Sequence, residues 1–133
     1  LDGLGNNAAI FQPDDILDIS PMQLAAHHDV NLAAPMLLSS AFARQARGPD
    51  VASIVQILDQ KLANPNPDFP SYTASKAALA GMIAPMAMGF KGRCRVNGVS
   101  PGILYPSYDQ TQAEYAEVCA LNLSARAIDV EDV

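Results

Sequence analysis

The sequence predicts an α/β fold in which helices flank a parallel sheet. Three short apolar segments alternate along the chain with longer helical segments. Strands that alternate with helices favour right-handed crossovers between parallel strands. Half of the 133 residues are hydrophobic, which is enough for a folded domain with its own core.

Caps, prolines and glycines set the expected boundaries of these elements. A helix is predicted to begin at Ser20-Pro21, because a capping hydroxyl followed by proline favours a helix start. It is expected to run to about Arg47 and to stop at Gly48-Pro49. A rigid loop with three prolines, residues 64–70, precedes the second helix. The predicted strands are residues 1–4, 51–58 and 95–99, and the predicted helices are residues 21–47, 71–88 and 111–121.

Candidate ligand-binding residues collect at one edge of the predicted sheet. Asn7-Ala8, Asp59 and Pro101-Gly102 each follow the carboxyl end of a predicted strand. Ligands of open α/β sheets bind at that edge. Tyr72 and Lys76 open the helix after the second strand, so they can face the same crevice. The sequence therefore predicts one site there.

Tyr72 and Lys76 form a candidate proton-donating pair. Because they are four positions apart on a helix, their side chains share one face. A phenol normally keeps its proton to about pH 10, and a nearby ammonium favours the phenolate and lowers the phenol pKa. A decrease of roughly two to three units requires about 3–4 kcal/mol, which a close, partly buried cation supplies. The alternative is an ordinary helix start with both residues on its rim.

Asn31 is a polar residue in the middle of an apolar helical stretch. Pro35, four residues later, has no N–H and cannot bond the Asn31 carbonyl. We expect a kink there, and a free carbonyl that anchors an ordered water near the crevice. The alternative is a tolerated proline beside an exposed asparagine.

The run Tyr72–Leu79, Tyr-Thr-Ala-Ser-Lys-Ala-Ala-Leu, resembles the active-site helix of the short-chain dehydrogenases/reductases. Three further segments resemble landmarks of that family and follow its order: residues 6–9 (Asn-Asn-Ala-Ala), 29–31 (Asp-Val-Asn) and 95–102 (Arg-Val-Asn-Gly-Val-Ser-Pro-Gly). The resemblance implies a partial doubly wound, Rossmann-like sheet. It also implies an oxidoreductase that uses NADP or NAD and acts on a small-molecule substrate.

Roles for individual residues follow from the same resemblance. Tyr72 is implied to be the proton donor, and Lys76 to lower its pKa and to hold the ribose hydroxyls. The main-chain oxygen of Asn31 is implied to hold a water that links the lysine to solvent. The residues implied to bind the cofactor are Asn7, Ala8, Ala9, Tyr72, Lys76, Pro101 and Gly102.

Asp59 departs from the family pattern. Most members carry a serine thirteen positions before the tyrosine, and that hydroxyl donates to the substrate carbonyl, whereas an ionised aspartate only accepts. Asp59 therefore suits a substrate that presents N–H groups or a protonated ring nitrogen, and the run Leu58-Asp59-Gln60 resembles the pteridine-reductase branch. Protonation of Asp59 in a dry pocket would restore carbonyl binding. The remaining alternative is a surface acid at the start of a loop.

Composition narrows the classes of partner. The net charge of −6 argues against nucleic acid, and the apolar stretch Ala77–Phe90 is too short for a membrane span. Cys94 and Cys119 lack metal or redox spacing and indicate reduced thiols of a cytoplasmic protein. His27 and His28 point about 100° apart on a helix, so they cannot bind one metal together. Solvated or capping roles are expected for both, and no metal site is predicted.

The resemblance further implies that residues 1–133 form a single partial domain, without the N-terminal glycine-rich strands that bind the cofactor. Gly3–Ala8 matches the pattern G-x-G-x-x-A formally, but no strand precedes it and no helix is predicted to follow it. A homodimer or homotetramer is expected, as in the family, with the subunit contacts on helices 21–46 and 72–88. The alternative to a reductase is a non-catalytic scaffold or assembly module of the same fold.

Overall fold

Three parallel strands form a sheet in the part of the chain that the structure, a computed structural model, describes. The strands are β1 (Gly3–Asn6), β2 (Ala52–Ile57) and β3 (Cys94–Val99), in that spatial order. Ile54 of β2 lies in register between Leu4 of β1 and Val96 of β3. The predicted α/β fold with a parallel sheet is thereby confirmed. The described residues are 1–46, 52–106, 110–121 and 126–132.

The described helices lie between and after these strands, close to the predicted positions. They are α1 (Pro21–His28), a π-helical turn (Asp29–Ala33), α2 (Ala34–Gln45), α3 (Pro70–Gly89) and α4 (Gln112–Ala120), with 3-10 turns at Gln60–Leu62 and Val130–Asp132. Ser20 caps α1, because its hydroxyl accepts a hydrogen bond from the Gln23 N–H at 3.5 Å. The predicted helix end at residues 47–49 and the predicted strand residue Val51 lie outside the described residues.

The helix that carries Asn31 contains a π-helical turn where a kink at Pro35 was expected. The turn ends at Ala33, and the N–H of the next residue, Ala34, bonds the Asp29 carbonyl five residues back. Pro35 therefore lies in the first turn of α2, where a missing N–H is tolerated. Turns of this kind inside α-helices are frequent at functional sites.

The sheet, α2 and α3 together form the hydrophobic core. Ile54 on β2 and Leu79 on α3 are almost completely buried, and Val96 on β3 packs in the same cluster. Burial of one such aliphatic side chain stabilises the fold by about 1.5–3 kcal/mol. This packing fixes α3 against the sheet and so fixes the first turns of α3, where Tyr72 and Lys76 lie.

The apolar stretch Ala77–Phe90 falls almost entirely within α3. Leu79 and Met86 are buried in the core, whereas the side chain of Met88 is exposed. Among the described helices, none has both the length and the apolar content that crossing a membrane requires.

Gly98 on β3 is a position at which an added side chain would meet the ends of two neighbouring side chains. A Cβ atom there would lie 2.4 Å from Ile83 Cδ1 and 2.7 Å from Leu58 Cδ1. We expect Gly98→Ala to lower the free energy of unfolding by about 1 kcal/mol, the lower end of the range for overpacking, because the ends of both side chains must shift. Urea unfolding followed by circular dichroism measures the change.

The matched control for Gly98 is Gly81, which lies inside α3 with open space around its Cα hydrogens. Gly81→Ala is expected to raise the free energy of unfolding by about 0.5–1 kcal/mol, because alanine loses less backbone entropy in a helix. Equal effects of the two substitutions would contradict the close approach at Gly98.

The chain divides into two units, Leu1–Val99 and Ser100–Val133. In the second unit, Thr111 caps α4 in a capping box with Glu114. The Tyr115 hydroxyl donates to the Leu104 carbonyl at 2.7 Å. These bonds anchor α4 to the segment that precedes it.

Candidate active site

Tyr72 lies in the first turn of α3, and its hydroxyl donates a hydrogen bond to Asp59. The distance from Tyr72 Oη to Asp59 Oδ2 is 2.7 Å, and the tyrosine is 7% exposed. Asp59 follows β2 closely, and its other carboxylate oxygen accepts from the Lys61 N–H at 2.7 Å. The carboxylate is thus fixed by the 3-10 turn on one side and bonded to the phenol on the other.

Lys76 lies one helical turn after Tyr72, and its ammonium is buried near the end of β2. Lys76 Nζ donates to the Ile57 carbonyl at 2.7 Å and lies 5.8 Å from the centre of the Tyr72 ring. Only 4% of the residue is exposed. The structure therefore brings Tyr72, Lys76 and Asp59 together at the carboxyl edge of the sheet, where their positions relative to the predicted strands had placed them.

The predicted effect of Lys76 on the phenol is wrong for this structure. Burial raises the pKa of Tyr72 above its ordinary value, and the hydrogen bond to Asp59 and the charge of Asp59 raise it further. The reason is that a buried phenolate would be poorly solvated and would face a carboxylate. Burial also lowers the pKa of Lys76, although the charge of Asp59 opposes that change. Tyr72 is a neutral phenol in this arrangement.

Asn31 is buried in the π-helical turn and connects two parts of the site. Its side-chain amide donates to the Ile10 carbonyl at 2.9 Å and to Ser75 Oγ at 3.1 Å, while its oxygen accepts from the Ile10 N–H at 2.8 Å. Ser75 Oγ in turn donates to the Tyr72 carbonyl at 2.6 Å. The side chain thus ties the loop after β1 to the first turn of α3. The water on its main-chain oxygen stays a prediction.

The aromatic side chains of Phe11 and Phe69 form a cluster beside Tyr72. The Phe11 ring packs edge-on against the Tyr72 ring at 4.7 Å between centroids, and it stacks on Phe69 at 4.1 Å. Phe69 precedes α3 with φ 55°, a left-handed conformation that costs energy for a residue with a side chain. Lys61 Nζ lies 5.3 Å from the Phe69 ring centre. These contacts hold the strained backbone in place next to the phenol.

A buried polar network supports the strands behind the site. Asn6 on β1 donates to Gln56 Oε1 at 3.0 Å and to Ser39 Oγ at 3.1 Å, and Gln56 on β2 donates to Ser39 Oγ at 2.9 Å. Gln56 and Ser39 are fully buried. Since Gln56 directly precedes Ile57, this network fixes the strand end that binds Lys76.

The predicted cofactor-lining residues fall into both units. Asn7, Ala8 and Ala9 are exposed at the carboxyl end of β1. Pro101 and Gly102 belong to the second unit, where a Cβ on Gly102 would lie 2.8 Å from Ile128 Cγ1. Their predicted contacts with a cofactor stay predictions.

Four residues of the site were not identified from the sequence: Phe11, His27, Gln56 and Ser75. The expectation that His27 is solvated is wrong, because the residue is completely buried in the structure, where its ring lies within hydrogen-bond distance of the Gln23 carbonyl and the Gln12 N–H. A pair of adjacent histidines gives no signal of which one faces inward. Ser75 belongs to the Tyr72–Leu79 run. Its position directly before Lys76 was the sequence signal that could have identified it as a residue of the site.

Residues 1–117 match the short chain dehydrogenase family. The chain is 29% identical over 113 residues to human dehydrogenase/reductase SDR family member 4, across 83% of this chain and 40% of that protein. It is 32% identical over 124 residues to pteridine reductase 1 of Leishmania tarentolae, across 77% of this chain and 43% of that protein. The chain thus spans about two fifths of the length of these relatives.

The fold is also similar to solved structures. FolM alternative dihydrofolate reductase 1 from Brucella canis, complexed with NADP, superposes with a TM-score of 0.92 at 29% identity, across 97% of this chain and 52% of that chain. The angucycline C-6 ketoreductase LanV, solved with bound NADP, superposes with a TM-score of 0.84 at 22% identity, across 97% of this chain and 51% of that chain, and shows the same fold.

Proposed function

Because the chain belongs to the short-chain dehydrogenase family, we propose that it is an NAD(P)-dependent oxidoreductase with Tyr72 as its proton donor. The observation that carries this proposal is the bond of 2.7 Å from the Tyr72 hydroxyl to Asp59, with the Lys76 ammonium one turn away. A buried phenol, cation and carboxylate at the carboxyl edge of a parallel sheet form a site for proton transfer.

Asp59 controls the acidity of Tyr72 in this mechanism. While the carboxylate accepts the phenol hydrogen bond, the pKa of Tyr72 is raised and the proton is held. When Asp59 instead accepts a hydrogen bond from a substrate N–H, the phenol loses that acceptor and becomes a stronger acid. Tyr72 then donates its proton to the substrate, and Lys76 stabilises the phenolate that forms. Substrate binding thereby activates the donor.

The residues present fit a nicotinamide cofactor. An ammonium has three N–H donors, so Lys76 can hold ribose hydroxyls in addition to the Ile57 carbonyl. Asn7, Ala8 and Ala9 are exposed residues at the strand end where ligands bind. When bound, the cofactor supplies or accepts the hydride. The NADP in the Brucella canis structure supports NADP or NAD as the cofactor.

Two substrate classes are open, a carbonyl or alcohol and a pterin-like C=N compound. Asp59 favours the second class, because an ionised carboxylate accepts hydrogen bonds from ring N–H groups and donates none. The similarity to a pteridine reductase and to an alternative dihydrofolate reductase supports the same choice.

We also propose that the protein forms a homodimer or homotetramer through contacts on helices 21–46 and 72–88. Large apolar side chains on these helices are exposed, which suits an interface. They are Met22, Leu24, Leu37, Leu38 and Met88.

A titration with NADPH and NADH tests the proposed function. We expect the protein to bind one of the two and to oxidise it only when a reducible probe, biopterin or an aromatic ketone, is present. Cofactor fluorescence measures binding, and the loss of cofactor absorbance measures turnover. If neither cofactor binds to the protein, including any residues its gene encodes before Leu1, the oxidoreductase proposal is wrong and a scaffold role replaces it.

A further inference from the structure

His27 is completely buried in α1, and both of its ring nitrogens have a hydrogen-bond partner. Nδ1 lies 2.9 Å from the Gln23 carbonyl oxygen one turn back in the helix. Nε2 lies 3.2 Å from the Gln12 backbone nitrogen in the loop between β1 and α1. The imidazole therefore joins the helix to that loop.

The two partners determine the tautomer of His27. A carbonyl oxygen only accepts, so Nδ1 must carry the hydrogen that it donates to Gln23. A backbone N–H only donates, so Nε2 must present its lone pair to Gln12. The imidazole is thus neutral and cannot exchange the roles of its two nitrogens without losing both bonds.

The segment that His27 holds, residues 10–14, contacts the first turn of α3 in the candidate active site. Phe11 directly precedes Gln12 and packs edge-on against the Tyr72 ring. Asp14 Oδ2 accepts from the Ser71 N–H at 3.1 Å, which fixes the same segment to the start of α3. Phe11 remains 42% exposed beside a phenol that is only 7% exposed. The exposed part of Phe11 therefore lies next to the buried Tyr72 side chain.

We propose that His27 is a positioning residue that holds residues 10–14 against Tyr72 and so shapes the substrate wall of the site. Its ring centre lies 6.4 Å from the centre of the Tyr72 ring, and neither of its nitrogens bonds to the phenol, so it acts through the Gln12 N–H. The effect on substrate rests on the proposed function, whereas the effect on the loop does not.

Two substitutions distinguish the hydrogen bond at Nδ1 of His27 from the hydrogen bond at Nε2. The amide of glutamine reaches the place of Nε2, so His27→Gln keeps an acceptor for the Gln12 N–H. The amide of asparagine reaches only the place of Nδ1, so His27→Asn keeps the helix bond and loses the loop bond. His28→Asn is the matched control, because His28 is exposed and pairs only with Asp29 among the described residues.

Hydrogen exchange of the Gln12 amide, followed by NMR, is the first measurement. Loss of one hydrogen bond is expected to speed exchange roughly three- to tenfold in His27→Asn. His27→Gln and His28→Asn are expected to stay within about twofold of the unsubstituted protein. Equal acceleration in the Asn and Gln variants, or none in either, would show that His27 only fills space and would overturn the proposal.

Steady-state kinetics with NADPH and biopterin is the second measurement. In His27→Asn we expect KM for biopterin to rise roughly three- to tenfold while kcat stays within about twofold, because the wall moves but Tyr72 does not. His27→Gln is expected to restore KM. A fall in kcat with unchanged KM would contradict a role in the substrate wall.

A spectroscopic measurement on the unsubstituted protein needs no variant to fold. Long-range ¹H–¹⁵N correlation of the His27 ring is expected to show hydrogen on Nδ1 and none on Nε2. The opposite tautomer would remove the bond to Gln12 and overturn the proposal. Because this measurement and the exchange experiment require no turnover, they also decide the case if the protein proves inactive.

Discussion

Tyr72→Phe is expected to lower kcat by about 10²–10⁴-fold, the range that a positioned general acid contributes. The phenylalanine ring keeps the packing against Phe11, so only the hydroxyl and its proton are lost. The dissociation constant for NADPH is expected to stay nearly unchanged, because Lys76 and the exposed residues after β1 remain. Steady-state kinetics and a cofactor titration measure the two quantities on the same preparation.

Tyr115→Phe is the matched control for this substitution. Both tyrosine hydroxyls donate one hydrogen bond at 2.7 Å, but the bond of Tyr115 goes to the Leu104 carbonyl in the second unit. The control shows what the loss of a structural phenol costs, and we expect its kcat to stay within about twofold of the unsubstituted value, since its hydroxyl bonds a backbone carbonyl and not Asp59. If Tyr72→Phe weakens NADPH binding strongly and leaves kcat intact, Tyr72 is a cofactor ligand rather than the proton donor.

Asp59→Asn is expected to change both the acidity of Tyr72 and the choice of substrate. An amide can still accept the phenol hydrogen bond, but it carries no charge and it also donates. Hydrogen bonds to charged groups contribute about 1.5–3 kcal/mol, so turnover of a pterin that presents N–H groups should fall about ten- to hundredfold. Reduction of an aromatic ketone should fall less or increase, because the introduced amide donates to its carbonyl. The ratio of kcat/KM for the two probes measures the change.

The sign of the pKa change in Asp59→Asn follows from its causes. Burial is the largest cause of the raised pKa of Tyr72, and the carboxylate adds to it through the hydrogen bond that it accepts from the neutral phenol and through its charge. Removal of the charge therefore lowers that pKa, while burial still holds it above the ordinary value. At one alkaline pH at which the protein is still folded, a larger fraction of Tyr72 should therefore be phenolate in the variant than in the unsubstituted protein. The phenolate absorbance of the variant, minus that of the same variant carrying Tyr72→Phe, measures it.

Asp68→Asn is the control for charge alone. Asp68 is exposed. Burial lowers the pKa of Lys61, and the charges of Asp68 and Asp59 oppose that change. Its removal should leave both the titration of Tyr72 and the ratio of the two substrates unchanged. A titration of Tyr72 that does not move in Asp59→Asn would contradict the assignment of Asp59 as the group that holds the phenol proton.

The architecture was predictable because local signals and the fold agree. Ser20 and Pro21 mark a helix start that needs no tertiary contact, and the structure has the cap in place. The strand ends placed Asp59 next to Tyr72 by topology alone, since parallel strands finish at one edge. Spacing on α3 placed Lys76 one turn from Tyr72. These are short-range rules that a sequence carries in full.

The features of the site that could not be predicted from the sequence depend on tertiary contacts between particular atoms. The sequence indicated that Lys76 would lower the pKa of Tyr72, but burial and the bond to Asp59 act in the opposite direction, and neither is visible from spacing. The π-helical turn at Asp29–Ala33 depends on how the chain accommodates Pro35 against its neighbours. His27 and His28 are adjacent residues of the same type, and tertiary packing alone determines that His27 is the buried one. Such features arise from three-dimensional contacts that no local pattern encodes.

Transfer of deuterium from NADPH that is deuterated at both C4 positions of the nicotinamide tests the central claim most directly. The unsubstituted protein is expected to place one deuterium on the reduced carbon of biopterin or of the aromatic ketone, detected by mass spectrometry of the product. Tyr72→Phe should bind the labelled cofactor and form little product. Product without deuterium, or equal labelled product from Tyr72→Phe, would contradict an oxidoreductase site built on Tyr72, Lys76 and Asp59.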